Sequence, residues 1–299
     1  MKTFFLIILL PAFSFSLFAQ DNKQRAESLA SMATQKEASG ATYEEFNLLF
    51  KQALELSPDY AELYILWGAI IAKHAEKKDD PELMSLSFGK FEKSIRLKSD
   101  QDARLLHSAY TAWAAGLAFQ AMKTEDESIL PLCYEKFGKA IEFKPDNYQT
   151  YQQWGGILLE QAKKKKDILQ FQETIDKYNK ALEIEPNSLS ALLGKGYAYL
   201  CMGRYGQDFL KYRSQLEAAY VRAEQLGGQS AAYNLACYYS LIKDKDEAFK
   251  WLEKAILKQT AYTQRMSVLD KDRINADEDF NNIRHDKRYR KLLDRYFEN

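Results

Sequence analysis

The sequence predicts an all-α protein built from stacked helical hairpins, and three observations lead to this fold class. Turn-forming residues are scarce, because the 299 residues include only 13 Gly and 6 Pro. Valine, which suits a pleated sheet, occurs twice, at Val221 and Val268. The hydrophobic share of 46% is ample for a core. A long helical chain with so few turns is typical of a repeat array.

The first element is an N-terminal targeting segment. Lys2 precedes the apolar run Phe4–Leu10, and a small residue, Ala19, follows. This pattern predicts a secretory signal over residues 1–19, cleaved after Ala19, and a periplasmic or secreted mature protein of a bacterial envelope. The alternative is an uncleaved membrane anchor. Polar residues and a proline interrupt the apolar run before it reaches the roughly 20 residues of a spanning helix; they are Pro11, Ser14 and Ser16.

The next elements form a repeat that carries two patterns in register. A helix ending of the type aromatic-x-Lys/Gln-Ala-aliphatic, closed by Pro-Asp or Pro-Asn, occurs at residues 50–59, 137–146 and 178–187, and a variant with Ser for Pro occurs at 91–100. A second pattern follows three of these endings: Tyr64-x-x-Trp67-Gly68, Tyr110-x-x-Trp113-Ala114 and Tyr151-x-x-Trp154-Gly155. The small residue after Trp lets a partner helix approach closely, and proline ends the second helix. Each unit is therefore predicted to be a helical hairpin that must stack on its neighbours.

These patterns resemble the tetratricopeptide repeat family, most closely at residues 231–256. The resemblance implies a right-handed superhelix of about six hairpins plus a C-terminal capping helix. The middle units carry about seven extra residues, which predicts lengthened helices joined by a polar elbow, with Asp80 capping a helix that starts at Pro81. The array is predicted over 20–260, followed by a closing segment over 261–299. Its units are 27–60, 61–100, 107–147, 148–188, 189–228 and 229–260.

The sequence offers no constellation of catalytic residues. His74, His107 and His285 lie apart, without acidic or Cys partners at metal-ligand spacing, and are expected in packing or surface roles. Cys133, Cys201 and Cys237 are expected as buried packing residues. The formal net charge is zero, with 42 basic and 42 acidic residues, which argues against nucleic acid as a partner. We therefore predict no enzymatic activity, cofactor or metal.

The resemblance also implies a binding surface on the first helix of each hairpin, called helix A. The positions that it assigns to a concave groove are Glu62, Ile65, Thr111, Gln149, Gln152, Leu193, Tyr197, Tyr233 and Asn234. The cations that some family members use to clamp a peptide's terminal carboxylate are missing there. The groove suits an extended peptide or a packed helix instead. The alternative is that neighbouring helices fill the groove and that another face makes the contacts.

Two functions follow from these observations. The leading hypothesis is a non-catalytic scaffold or adaptor that binds a protein or peptide in the bacterial envelope. The alternative is a membrane-anchored structural or assembly subunit that keeps its N-terminal segment.

Overall fold

The computed structural model describes residues 10–97, 102–260 and 269–297, and every regular element in these ranges is helical. Residues 1–9 of the predicted signal lie outside the described residues. The α-helices are α1 (Leu10–Ala38), α2 (Tyr43–Leu56), α3 (Ala61–Lys78), α4 (Pro81–Leu97), α5 (Ala103–Thr124), α6 (Leu130–Phe143), α7 (Tyr148–Lys165), α8 (Ile168–Ile184), α9 (Leu189–Tyr205), α10 (Arg213–Gln225), α11 (Gln229–Leu241), α12 (Lys245–Thr260), α13 (Lys271–Ala276) and α14 (Lys287–Phe297). Single 3₁₀ turns form at Glu127–Ile129 and Glu278–Phe280.

Consecutive helices pair as hairpins, from α1 with α2 through α11 with α12. Across the described ranges this gives six hairpins and a C-terminal helix, so the predicted all-α class is confirmed. The helices α3 and α4 contain 18 and 17 residues, as do α7 and α8. In the second and fourth hairpins the extra residues therefore lengthen both helices. In the third hairpin they lengthen the first helix, since α5 has 22 residues and α6 has 14.

The chain divides into two compact units, Met1–Asp146 and Asn147–Asn299. The first contains the hairpins α1 to α6, and its N-terminal core is built on Phe46, Phe50 and Trp67. The second contains the hairpins α7 to α12 and the closing segment. Each unit has its own buried aromatic side chains, each of which contributes roughly 1.5–3 kcal/mol through removal from water.

One type of turn joins the two helices of five hairpins. A residue in the left-handed conformation lies at the end of the first helix, and the next residue is an aspartate whose carboxylate accepts from a backbone N–H two or three residues on. This aspartate caps the second helix directly at α4, α8 and α12, whereas before α6 and α10 it caps a short turn that leads into the helix. The pairs are Asp79-Asp80, Glu125-Asp126, Lys166-Asp167, Gln207-Asp208 and Lys243-Asp244. At Lys166-Asp167, the Asp167 N–H reaches back to the Ala162 carbonyl over 3.0 Å, which is a Schellman-type ending. The Asp167 carboxylate then accepts from the N–H groups of Leu169 and Gln170, so the turn satisfies orphan groups of both helices.

Glycines in helix A admit aromatic rings from the second helix of the hairpin, called helix B. A Cβ added at Gly196 would lie 2.7 Å from the ring of Tyr220, which is fully buried. The same relation holds between Gly68 and Phe91, where the distance is also 2.7 Å. The small residue after Trp was predicted to let the partner helix approach closely. At Gly68, which follows Trp67, this close contact is made by the Phe91 ring of helix B.

Lysines from helix B lie over the tryptophans of helix A. The ammonium group of Lys90 is 3.6 Å from the ring centroid of Trp67, and that of Lys177 is 3.6 Å from Trp154. In the third hairpin, Lys136 lies 4.6 Å from Trp113. Each lysine follows its tryptophan by 23 residues. Such cation–π contacts contribute about 0.5–2 kcal/mol each.

The closing segment packs on the last hairpin. Tyr289, Leu292 and Leu293 of α14 are buried, and the Tyr296 hydroxyl donates to the Glu253 carboxylate of α12 over 2.9 Å. This packing confirms the predicted C-terminal capping helix. Within the described residues, no helix combines the length and the apolar character needed to cross a bilayer.

Candidate protein-binding surfaces

In the first unit, the predicted groove residues lie on α3 and α5. Glu62 is exposed, while Ile65 and Thr111 are half-buried. The half-buried residues Ala69 and Ala115 accompany them. The side chains on this face are therefore small and mostly apolar, and Glu62 adds an acidic group at the start of α3.

In the second unit, α7 and α9 lie side by side and carry four of the predicted residues. Gln149 is exposed, and Gln152 is half-buried with its side-chain carbonyl accepting from the Ser188 hydroxyl over 2.9 Å. Leu193 is half-buried and packs against the core. Tyr197 keeps part of its ring accessible. The face thus offers amides and an aromatic ring.

Tyr197 packs against the hydrophobic core and also lies near a lysine. The Lys163 ammonium lies 5.4 Å from its ring centroid. Burial raises the pKa of the Tyr197 hydroxyl, and the neighbouring Cys201 raises it further. The hydroxyl is therefore neutral and available as a hydrogen-bonding group at physiological pH.

On α11, the predicted groove position Tyr233 is already occupied by the closing segment. Its hydroxyl donates to the Asp277 carboxylate over 2.6 Å, and its ring meets the Phe280 ring edge-on at 5.5 Å. Burial and the hydrogen bond to Asp277 raise the pKa of Tyr233. Asn234, the neighbouring prediction, is half-buried.

A second contact joins the closing segment to α9. One guanidinium nitrogen of Arg204 lies 2.6 and 2.7 Å from the two oxygens of Asp279. Burial raises the pKa of the Asp279 carboxyl, and the Arg204 charge opposes this rise. Sequence reasoning did not connect Arg204 with the closing segment. The two aspartates of the sequence Asp277-Glu278-Asp279 were the available signal, but their partners lie 44 and 75 residues away.

Three of these side chains have the donor types of a metal site. One ligand atom each from Cys237, Asp277 and Asp279 lies within 4.8 Å of the others. Both carboxylates, however, already accept hydrogen bonds, one from Tyr233 and the other from Arg204. A cation here would face a guanidinium charge, so the arrangement fits an ion-pair network better than a metal centre.

The histidines and cysteines occupy packing and surface positions. His74 and His107 are buried in α3 and α5, and His107 Nδ1 contacts the Ala140 carbonyl at 3.1 Å. His285 is exposed. All three cysteines are buried, as predicted, and they are free thiols: Cys133, Cys201 and Cys237. Burial raises the pKa of Cys133 to about 12, so this thiol stays protonated and unreactive.

Comparison with known proteins places the hairpins in a known fold. No family model and no curated protein matches the chain. Among solved structures, PilF of Pseudomonas aeruginosa is similar with a TM-score of 0.50 and 14% identity, covering 81% of this chain and 94% of its own. The chain has the tetratricopeptide-repeat fold.

Two further solved structures are similar. YrrB, described as a TPR protein with an unusual peptide-binding site, has a TM-score of 0.42 and 18% identity, covering 71% of this chain and 91% of its own. MamA has a TM-score of 0.43 and 15% identity, covering 82% of this chain and 98% of its own.

Proposed function

We propose that this chain is a non-catalytic scaffold or adaptor of the bacterial cell envelope that binds a protein or peptide on its helix-A faces. The observation that carries the proposal is the surface of α7 and α9. It combines the exposed amide of Gln149, the half-buried amide of Gln152 and the half-buried ring of Tyr197 on two packed helices.

Such a surface suits an extended peptide or a helix. Side-chain amides both donate and accept, so they can pair with the backbone of a bound segment. A rigid tyrosine supplies contact area at low entropic cost, and its hydroxyl can hydrogen-bond at the rim. Because the backbone of both helices is already hydrogen-bonded internally, only side chains have to adapt on binding.

A site-specific cross-linking experiment tests this surface. We would replace Gln149 by the photoreactive p-benzoylphenylalanine in the full-length chain, in cells that naturally express it. The matched control carries the same residue at Glu173, which is exposed on helix B of the same hairpin. We expect a discrete protein adduct from position 149 and none from position 173.

The decisive check on this adduct is Tyr197→Ala. We expect this change to reduce the adduct at least tenfold while leaving the helical circular-dichroism signal unchanged. Equal labelling at positions 149 and 173, or no labelling at either, would contradict the proposed surface.

The proposed location in the envelope has its own test. Mass spectrometry of the chain from its native cells should find a mature N-terminus at Gln20. A chain that retains residues 1–19 and sediments with membranes would favour the anchored structural subunit instead.

A further inference from the structure

We infer that Arg204 of α9 and Tyr233 of α11 form a binding site for an acidic segment that carries an aromatic side chain, and that the chain's own Asp277–Phe280 occupies this site. The inference rests on the proposed function and deepens it, because it names the chemistry of a partner segment. It concerns the second unit alone.

Three residues of the segment Asp277–Phe280 contact the proposed site. Asp277 accepts from Tyr233, and Asp279, two residues on, pairs with Arg204. Phe280 then turns its ring onto Tyr233 with an interplanar angle of 87°. Two carboxylates and one ring thus contact side chains from two different helices, α9 and α11.

The chemistry of the site selects for negative charge. A carboxylate beside a guanidinium gains a charge-assisted hydrogen bond of 2.6 Å, which is in the strong range. Replacing this carboxylate by a neutral amide would keep the shape of the side chain and remove its charge. The neighbouring Cys237 is buried, with 3% of its surface exposed, and its Sγ donates to the Asp277 carboxylate over 3.8 Å.

The closing helix has contacts with α12 in addition to these, although its Tyr289 also meets the buried Phe280 ring at 6.5 Å. Its residues Leu292 and Leu293 are buried, and Arg295 and Tyr296 both reach Glu253 of α12. The stretch 277–280 is therefore tethered near its site by α14, as a ligand held at high effective concentration. A free segment of the same chemistry has to compete with this tethered one, so the intact chain should bind it weakly.

The test measures binding of a fluorescein-labelled peptide, with the sequence of residues 275–284, to the full-length chain by anisotropy. In the variant Asp277→Asn/Asp279→Asn the tethered segment loses both carboxylates. We expect this variant to bind the peptide at least tenfold more tightly than the unmodified chain does. Adding Arg204→Gln should abolish that gain, whereas Arg222→Gln, an exposed arginine on α10, should preserve it.

Three outcomes would overturn the inference: no peptide binding to the double variant, equal binding to both chains, or binding that Arg204→Gln leaves unchanged. A peptide in which both Asp residues are replaced by Asn should bind at least tenfold more weakly, and equal affinity would also overturn it. Circular dichroism must show the same helicity for all variants, and the conservative Asn and Gln changes are chosen to preserve it. Failure here leaves the cross-link at Gln149 unaffected, so it is distinguishable from failure of the proposed function.

Discussion

Tyr178 reaches between two helix-A glycines, and adding one methyl group there provides a sharp test of the packing. A Cβ added at Gly194 would lie 2.3 Å from Tyr178 Cζ and 2.4 Å from its hydroxyl oxygen. The ring cannot move away freely, because it also packs closely against Gly155. A Cβ added there would lie only 3.0 Å from the ring. We therefore expect Gly194→Ala to destabilise the second unit.

The magnitude follows from two opposing effects. Alanine gains about 1 kcal/mol over glycine inside a helix. Overpacking a rigid core costs about 1–3 kcal/mol, and a contact that is more than 1 Å too short belongs at the upper end. The expected net loss for Gly194→Ala is about 2 kcal/mol, measured as the change in unfolding free energy in urea.

Gly156 of α7 provides the matched control. An added Cβ there would meet only the Tyr178 hydroxyl, at the ordinary distance of 3.9 Å. Gly156→Ala should therefore keep the helix gain and stabilise by up to about 1 kcal/mol. In a Tyr178→Leu background, Gly194→Ala should lose its penalty. If Gly194→Ala proves as stable as Gly156→Ala, the packing argument is wrong.

Three further predictions concern a cap, a core residue and a titration. Asp167→Ala removes the cap of α8 and should lower the unfolding free energy by about 1 kcal/mol in urea titrations, whereas no change would show that water replaces the cap. Phe137→Ala empties a fully buried position and should cost about 3–5 kcal/mol, and a loss below 1 kcal/mol would mean that the site collapses. Hydrogen bonds from Arg288 lower the pKa of Asp286 to about 2, so its contribution to stability is complete above the unfolded pKa near 4 and is lost as pH falls toward 2. NMR titration should place the Asp286 midpoint near 2, and Asp286→Asn should flatten the stability profile between pH 4 and 2.

The hairpins could be predicted from the sequence because their determinants are local and repeated. The small residue after Trp marks a close helix contact, and Pro58, Pro145 and Pro186 follow the ends of α2, α6 and α8. The Lys-over-Trp contact was equally available as a constant spacing of 23 residues, yet a single lysine in a charged helix looks like ordinary surface. Only the structure shows that the spacing brings Lys177 onto Trp154.

The turn motif is a similar case. Asp80 was predicted as a cap from its neighbouring proline, and the structure confirms that its carboxylate accepts from the Leu83 N–H over 2.8 Å. Asp126 and Asp208 were missed, because no proline follows them directly. They accept from the N–H groups of Ser128 and Lys211 and so cap the turns that lead into α6 and α10. The usable signal was an aspartate at the same position in the turn between the two helices of each of these hairpins.

The groove positions remain predictions, since family register assigns which residues face one side but not what covers them. Tyr233 shows why. Its position in α11 was assigned from the repeat, whereas its partner Asp277 comes from a segment 44 residues later. Contacts of this kind depend on how the chain returns after the last hairpin, and no periodic pattern encodes that return.

Because a lysine lies over each of three tryptophans, tryptophan fluorescence can report on individual hairpins. Trp67, Trp113 and Trp154 each belong to a different hairpin, and each indole lies beside a charge supplied by the same hairpin. Separation of helix A from helix B would remove that charge and change the emission of one indole. Replacing the other tryptophans by phenylalanine would leave a single native reporter, through which the opening of one hairpin could be followed during unfolding or partner binding.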